Sequence, residues 1–436
     1  MFDLLLRGGT CVTPSGRVQA DVAVRDRRIA ALGALDASQA KEVFDATGLH
    51  VLPGVVDPQC HFREPGLTHK EDLNSGSAQA ALGGVTTFFE MPNTTPNTDN
   101  PERLAWKVER ARETSWVDFG FFIGATNENA EHLAQWETLE GCAGVKMFCG
   151  SSTGTLLVDK PENQRRVMKS GRRRICCHSE DEARLKERKD LFAGKPVHFH
   201  PEWRDEDCAV ISTRNLLQIA KETGRRLHIL HVTTAGEIPL LSANKHLASF
   251  EVCPQHLTLA APECYDRLGT LAQMNPPIRD ARHQAALWEA IRNGAVDVLG
   301  SDHAPHTLEE KSKPWPASPS GMPGVQTLVP LMLNHVAAGR LTLERFVDLT
   351  SAGPARVFGM RAKGRLAPGY DADLTVVDLN AQKTITNEWS KSRCGWTPFD
   401  GLKVTGWPIA TIVRGSFVMR DGALQGTPRG LPVRFD

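Results

Sequence analysis

The sequence lacks an excess of charge of either sign. Its 436 residues include 51 Lys and Arg and 51 Asp and Glu, so the formal net charge at pH 7 is zero. This balance removes the electrostatic argument for a nucleic acid or an anionic membrane as a partner. Any anionic ligand must then be bound by a few local cations. We therefore expect a small-molecule substrate, no nucleic acid and no membrane.

Long apolar runs and regularly spaced cysteines are also missing. No apolar run is long enough to span a bilayer. The N-terminal segment carries Asp3 and Arg7 within its short apolar run, which is unlike a signal peptide. The ten cysteines show no C-x-x-C spacing, and Cys176 and Cys177 are adjacent, which is poor geometry for a mutual disulfide. We interpret them as scattered reduced thiols in a cytoplasmic enzyme.

The chain has three zones of different texture. Residues 1–52 and 365–436 are rich in strand-like alternation, whereas residues 53–364 alternate short apolar runs with helix-like stretches. Such alternation indicates parallel β/α units, and about eight strand candidates suggest a closed barrel. We predict that the two ends build one small β-domain. The candidate barrel strands are GVVDPQ, GVTTFFEM, FGFFIGA, GVKMF, RRICCH, LHILHV, SFEVCP and VDVLGSD.

Polar residues of the metal-binding and acid–base types stand at the ends of these apolar runs. Barrel active sites gather at the C-terminal ends of strands from different parts of the chain. We therefore expect the following side chains to meet at the mouth of the barrel: Gln59, His61, Lys146, His178, His231 and Asp302.

The first of these runs ends in DPQCHFREPG. Positions 59 and 61 face the same side of a strand because the side-chain period is two, so both can face one metal. His61 is a good ligand type, whereas the neutral amide of Gln59 binds zinc weakly. A core histidine with no ligand role is the alternative for His61 alone, but its neighbours favour a ligand.

Lys146, in GVKMFCGSSTG, is a more unusual candidate. Burial at a strand end can lower the pKa of its ammonium and expose a nucleophilic amine. That amine could take up carbon dioxide and become a carbamate, whose two oxygens can bridge two cations. Taken alone, however, this lysine is better interpreted as a surface or salt-bridging residue.

Histidines and an aspartate end three later runs. His178 and His231, together with His61, form an imidazole set suited to zinc. Asp302, in VLGSDHAPHTLEEK, can accept a proton from water beside a metal and pass it to a leaving nitrogen. A helix N-cap is the alternative for Asp302. We interpret the remaining candidates as structural or surface residues: His198, His200, His246 and His283.

Two residues have the character of an anion clamp. Arg63 lies two residues after His61, faces the same way and could bind a carboxylate in bidentate fashion. Asn93, in FFEMPNTTP, follows another strand and could donate to the same anion. Loop stabilisation is the alternative for both, and it is a serious one for an Asn between prolines.

Taken in order, the motifs resemble the signature set of the dihydroorotases, and the match covers nearly the whole barrel. The tail GRLAPGYDADLTVVDL resembles the closing β-domain of the wider amidohydrolase superfamily. The motifs are DPQCHFREPG, KEDLNSGS, GGVTTFFEMPNTTP, GVKMFCGSSTG, CCHSEDE, ILHVTTAGE, EVCPQHL, NPPIRD and GSDHAPHTLEEK.

The resemblance implies an α/β fold, a TIM-type (β/α)8 barrel with a small β-sandwich domain built from both termini. It implies one or two zinc ions, with His61 and Asp302 at the more buried ion and His178 and His231 at the other. Lys146 matches the carboxylated lysine that bridges them, which overturns the surface interpretation.

The resemblance also assigns the remaining site residues. Asp302 matches the residue that shuttles the proton, and the residues that bind the substrate carboxylate correspond to Arg63, Asn93 and His306, with Asn275 in the same pocket. The implied reaction is the reversible cyclisation of N-carbamoyl-L-aspartate to L-dihydroorotate in pyrimidine biosynthesis.

The chain departs from the family pattern at two places, where Gln59 and Gln255 replace histidines. The first loss should weaken the buried metal. One interpretation is an active enzyme with one tight zinc. Another is an impaired chain that serves as a structural partner of aspartate carbamoyltransferase, and a third is a cyclic amidohydrolase of the hydantoinase or allantoinase type. We also expect a homodimer and a lid at residues 307–323.

Overall fold

The computed structural model describes residues 1–152 and 155–436, which form three β-sheets. Seven strands come first: β1 (Phe2–Arg7), β2 (Thr10–Thr13), β3 (Gly16–Gln19), β4 (Asp21–Arg25), β5 (Arg28–Gly33), β6 (Ala40–Asp45) and β7 (His50–Pro53). Eight follow: β8 (Val55–Cys60), β9 (Val85–Glu90), β10 (Asp118–Gly124), β11 (Cys142–Phe148), β12 (Ile175–His178), β13 (Leu227–Ile229), β14 (Ala248–Val252) and β15 (Val298–Leu299). The last are β16 (Leu374–Thr384), β17 (Lys403–Val413), β18 (Ser416–Arg420) and β19 (Ala423–Leu424).

The middle eight strands form a parallel barrel. β8 to β15 are hydrogen-bonded in chain order, and a bridge between Cys60 and His303 joins the two edges, so that the barrel is nearly closed. Every residue of these strands is buried, because helices cover one face and packed side chains fill the other. The predicted barrel is therefore confirmed.

Helices lie between and after the barrel strands, and Asn100 and Asp205 cap the two longest by accepting backbone hydrogen bonds. Within the described residues, no helix is long and apolar enough to cross a membrane. The α-helices are α1 (Leu73–Leu82), α2 (Pro101–Thr114), α3 (Leu133–Trp136), α4 (Pro161–Lys169), α5 (Glu182–Lys189), α6 (His200–Trp203), α7 (Glu206–Thr223), α8 (Glu237–Ser242), α9 (Pro254–Thr258), α10 (Glu263–Leu268), α11 (Ala281–Arg292), α12 (Leu308–Lys311), α13 (Leu328–Ala337), α14 (Leu343–Val347) and α15 (Gly353–Phe358).

The other two sheets are built from both ends of the chain and form a sandwich. One has the strand order β5-β4-β1-β6 and the other the order β19-β18-β17-β16-β7-β2-β3. β16 pairs directly with β7, which places Val376 opposite Val51. Side chains from both sheets share one apolar core, so the composite β-sandwich is also confirmed; its residues include Leu4, Leu6, Val22, Val24, Cys11, Val51, Leu374, Val376 and Ile412.

The end of the chain closes the N-terminal end of the barrel. The backbone of Phe119 exchanges hydrogen bonds with Leu431 and Val433, and Phe435 packs edge-on against Phe89. We propose that the chain divides into residues 1–52, 53–364 and 365–436, where the first and third segments build the β-sandwich. The tail belongs to the third segment but lies on the barrel. The tail is stabilised there because Val433 and Phe435 pack in one apolar cluster with aromatic side chains of β9 and β10, Phe89 and Phe122.

Candidate active site

A cavity at the C-terminal ends of the barrel strands collects side chains from distant parts of the chain. Its free volume is about 20 Å³, roughly enough for one water molecule. All the predicted site residues line it except His306. The lining residues are Gln59, His61, Arg63, Asn93, Lys146, Phe148, Ser152, His178, His231, Asn275, Asp302, Ala304, Ser320 and Gly321.

Two imidazoles face each other on one side of this cavity. His178 Nδ1 lies 3.0 Å from His231 Nε2, and the rings are nearly perpendicular. Zinc–nitrogen bonds of about 2.0–2.1 Å place two tetrahedral ligand nitrogens roughly 3.3 Å apart. Burial lowers the pKa of both rings, and the neutral imidazole is the form that binds metal. The separation and protonation of this pair therefore fit a shared cation.

Lys146 lines the same cavity from β11. Its side chain is almost fully buried, and burial lowers the pKa of its ammonium to about 8. Nζ lies 4.4 Å from the centroid of the Phe148 ring. At pH 7 roughly a tenth of an amine with this pKa is neutral, far more than for an ordinary lysine, and the neutral form is the nucleophile.

A second pair stands on the opposite side. His61 Nε2 lies 3.2 Å from Asp302 Oδ1, and His61 Nδ1 lies 2.8 Å from Asn93 Oδ1. Burial lowers the pKa of His61, so the neutral ring has one proton for two oxygen neighbours. One ring nitrogen therefore directs a lone pair at an oxygen, and these two electron-rich atoms repel each other. A cation bound between them would relieve this repulsion.

Gln59 contacts the same aspartate. Its Nε2 donates to Asp302 Oδ1 at 3.0 Å, while its Oε1 is buried without a hydrogen-bond partner in residues 1–152 and 155–436. The amide therefore uses its donor on the oxygen that would otherwise bind a cation. Gln59 competes with a metal at this corner instead of supplying a strong ligand.

The candidate ligands form two pairs, not one imidazole set. Across the described residues, no three His, Cys, Asp or Glu side chains are grouped so that they could hold a metal ion by themselves. Lys146 also lines the cavity, and as a carbamate it could supply oxygen ligands to either pair. The close pair of neutral imidazoles, the lone pair that His61 directs at an oxygen and the buried amine together fit the predicted metal centre.

A buried ion pair supports the His178 ring from behind. His178 Nε2 lies 2.7 Å from Glu180 Oε2, and Arg204 Nη2 donates to the same oxygen at 2.5 Å. Burial by itself would raise the pKa of Glu180, but the Arg204 charge and the hydrogen bonds from His178 and Arg204 together outweigh burial and keep the pKa well below its usual range. The carboxylate holds the Nε2 proton, so Nδ1 is left free to face the cavity.

Arg63 is a buried cation at the cavity wall. Its side chain is 1% exposed, Nε donates to the Pro305 carbonyl, and Nη2 lies 3.2 Å from His306 Nε2. The structure shows no ion pair for this guanidinium among the described residues. Burial lowers its pKa to about 10. An unneutralised buried guanidinium favours an anion in the cavity.

His306 lies behind Arg63 and not on the cavity wall. Its Nδ1 is 3.1 Å from Lys70 Nζ, and its Nε2 is 3.1 Å from the Ser320 carbonyl oxygen. From this position it can orient Arg63, whereas direct contact with a ligand requires the cavity to widen. Asn275 does line the cavity, and its Oδ1 lies 3.0 Å from His200 Nε2.

The segment after Asp302 closes the cavity. Ser320 and Gly321 form part of its wall, and Lys311 Nζ donates to the carbonyls of Gln273, Pro319 and Gly321 at 2.9–3.1 Å. A ring substrate needs far more space than one water molecule, so this wall has to move for a ligand to enter. This placement supports the predicted lid at residues 307–323.

Three site residues adopt left-handed backbone conformations. The φ angles are +66° at Arg63, +38° at His231 and +43° at Asp302. Such conformations cost about 1–3 kcal/mol each in a non-glycine residue, and they concentrate at functional sites. The surrounding barrel therefore holds these three side chains in positions that local sequence preference does not favour.

Several residues at or behind the cavity were not predicted from the sequence. Glu180 could have been identified because it stands two residues after His178. Nothing in the sequence pointed to Arg204, Phe148 or Ser152. Gln255, the second position where a glutamine replaces a family histidine, does not line the cavity. Its Nε2 donates to the Ser301 carbonyl beside the strand end, which is a structural role.

The chain belongs to the amidohydrolase family, whose model matches residues 50–418. Within that family it is similar to proteins named dihydroorotase. The one from Methanosarcina mazei is 35% identical over 405 residues, covering 90% of this chain and 88% of that protein. The one from Halobacterium salinarum is 36% identical over 416 residues, covering 93% and 94%. The resemblance drawn from the motifs is confirmed.

Solved structures with the same fold include hydantoinases. The L-hydantoinase (dihydropyrimidinase) from Arthrobacter aurescens superposes with a TM-score of 0.95 at 30% identity, over 99% of this chain and 100% of that chain. The D-hydantoinase (dihydropyrimidinase) from a Thermus species superposes with a TM-score of 0.90 at 27% identity, over 99% of both chains.

Proposed function

We propose that this protein is a dihydroorotase, which reversibly cyclises N-carbamoyl-L-aspartate to L-dihydroorotate. The family and the named relatives support a hydrolase acting on a cyclic amide bond. The choice among cyclic amides rests on one observation, the buried cation of Arg63 at the cavity wall. A neutral hydantoin or dihydropyrimidine ring would leave this charge unpaired, whereas the ring carboxylate of dihydroorotate neutralises it.

The proposed metal centre is one tightly held zinc on His178, His231 and carboxylated Lys146. Zinc bound there would polarise the amide carbonyl and activate water. A second ion would use His61 and Asp302. Its site is weakened because the Gln59 amide donates to the Asp302 oxygen that it needs.

The chain's own residues carry the other steps. Arg63 and Asn93 would hold the substrate carboxylate, with Asn275 on the same wall, so that the scissile amide lies near Asp302. Asp302 would take the proton from the attacking water and return it to the amide nitrogen in hydrolysis, and reverse these roles in cyclisation. Ser320 and Gly321 would exclude bulk water when the wall is closed.

Two alternatives have specific support. The structural similarity to hydantoinases favours a cyclic amide without a carboxylate. The altered ligand at Gln59 favours an impaired chain that assists aspartate carbamoyltransferase. The retained Lys146, His178, His231 and Asp302 argue against the impaired chain. The homodimer, that partner and a cytoplasmic location stay predictions.

The test compares substrates on purified, zinc-loaded protein. Wild type should interconvert carbamoyl-aspartate and dihydroorotate, and Arg63→Ala should lose this activity by roughly a hundredfold or more, since it leaves the carboxylate unpaired. Arg103→Ala, which removes a half-buried cation paired with Asp99, should match wild type. Faster hydrolysis of hydantoin or allantoin, unaffected by Arg63→Ala, would overturn the assignment. No zinc and no turnover would favour the assisting role.

A further inference from the structure

A second cavity lies at the opposite, N-terminal end of the barrel and is strongly basic. Its volume is about 450 Å³, within the range of small-molecule sites. It is formed where β12 and β13 begin, because Arg172, Arg173 and Arg174 immediately precede β12 and Arg226 immediately precedes β13. Arg356 completes a set of five arginines, against which Asp436 is the single acidic residue on the wall.

Most of this charge is not neutralised by the protein. Arg356 pairs with Asp348 at 2.8 Å. For Arg172, Arg174 and Arg226, in contrast, no ion pair is present anywhere in residues 1–152 and 155–436. The guanidinium of Arg174 instead donates to the Leu227 carbonyl at 3.3 Å.

The crowding of these cations is unfavourable without an anion. Burial lowers the pKa of Arg174, and the neighbouring Arg226 charge lowers it further. The negative charge of Asp297 raises the pKa of Arg174, but this carboxylate is already paired with Lys245. In a chain with zero net charge, such a concentration of one sign is a local feature and not a consequence of composition.

Neighbouring arginines show that the arrangement is specific. Arg225 turns inward, where it is buried in an ion pair with Glu137 at 2.5 Å, while Arg226 turns toward the cavity. Structural stabilisation explains the first arginine and not the second. Guanidinium groups bind phosphate oxygens in bidentate fashion, so several around one hollow suit a phosphate group.

The wall also has an apolar part. Ala143, Val357 and Phe358 line the cavity beside the arginines. We propose that this cavity binds a phosphorylated small molecule, with the phosphate on the arginines and the remainder against the apolar wall. A nucleotide combines both chemistries. This site is separate from the candidate active site and does not depend on the proposed reaction.

Calorimetric titration of the full-length protein at physiological salt tests the proposal, with ATP, UTP and inorganic pyrophosphate as probes. We expect the probes to bind, and we expect Arg172→Ala/Arg226→Ala to weaken this binding roughly tenfold or more, because the double change removes charge-assisted hydrogen bonds. Both side chains are exposed, so the variant should still fold. Tighter binding of a nucleotide than of pyrophosphate would support the proposed contact with the apolar wall, and equal binding would refute that contact.

Two controls make the result decisive. Arg165→Ala/Arg292→Ala removes the same number of cations, each paired with a glutamate, and should bind like wild type. Arg63→Ala, at the other end of the barrel, should also leave binding unchanged. The proposal is overturned if no probe binds below millimolar concentration, or if either control loses as much affinity as Arg172→Ala/Arg226→Ala.

Discussion

Replacing Glu180 by Gln should reduce zinc affinity and stability together. Glu180 is fully buried, holds His178 Nε2 at 2.7 Å and pairs with Arg204, whose side chain is 3% exposed. Loss of the carboxylate charge leaves Arg204 buried and unpaired, which costs about 3–5 kcal/mol. It also loosens the orientation of His178, and such changes behind a metal ligand typically lower metal affinity roughly 10–100-fold.

The chain offers a closely matched control for this change. Glu137 and Arg225 form a buried pair with the same 2.5 Å separation and the same side-chain exposures, 0% and 3%, near the other end of β12. Glu137→Gln should therefore destabilise the barrel by a similar amount without changing zinc affinity. Urea unfolding of the metal-free protein measures the first effect, and competition with a zinc chelator measures the second.

The comparison separates a positioning role from a structural one. If Glu180→Gln lowers zinc affinity no more than Glu137→Gln does, then Glu180 only stabilises the fold and the argument from the His178 proton is wrong. Loss of affinity in Glu180→Gln alone, at equal loss of stability, would support it.

Three further changes test other parts of the site. Gln59→His should raise bound zinc from about one toward two per chain in metal analysis, because it frees Asp302 and adds a ligand; unchanged stoichiometry would refute the account of Gln59. Lys146→Met should abolish zinc retention, and retained zinc would contradict the carbamate. The same change should raise the melting temperature of the metal-free protein, because it replaces a buried cation by an apolar side chain of similar volume. Gly321→Ala would bring Cβ within 2.4 Å of the Ala304 carbonyl oxygen at φ +136°. It should impair turnover, whereas Gly16→Ala, at φ +144° in open space, should not; equal turnover in both variants would refute the closed wall.

The sequence by itself determined the architecture and most of the residue types at the site. Continuous apolar runs of strand length specify buried parallel strands, and a polar residue at the end of such a run must lie at the barrel mouth. That rule places the ends of five such runs at the mouth, and these ends carry His61, Lys146, His178, His231 and Asp302. The signal is local, since each run and its terminal residue are neighbours in the chain.

The tertiary structure decided how those residues are combined. The contact between Gln59 and Asp302 joins positions 243 residues apart, and that between Glu180 and Arg204 joins positions 24 residues apart. The same packing placed His306 behind the cavity wall. Such distances depend on the closure of the barrel and on side-chain packing between remote elements, which local residue patterns do not encode. The chain pattern therefore specified which groups are available, and packing decided which of them meet.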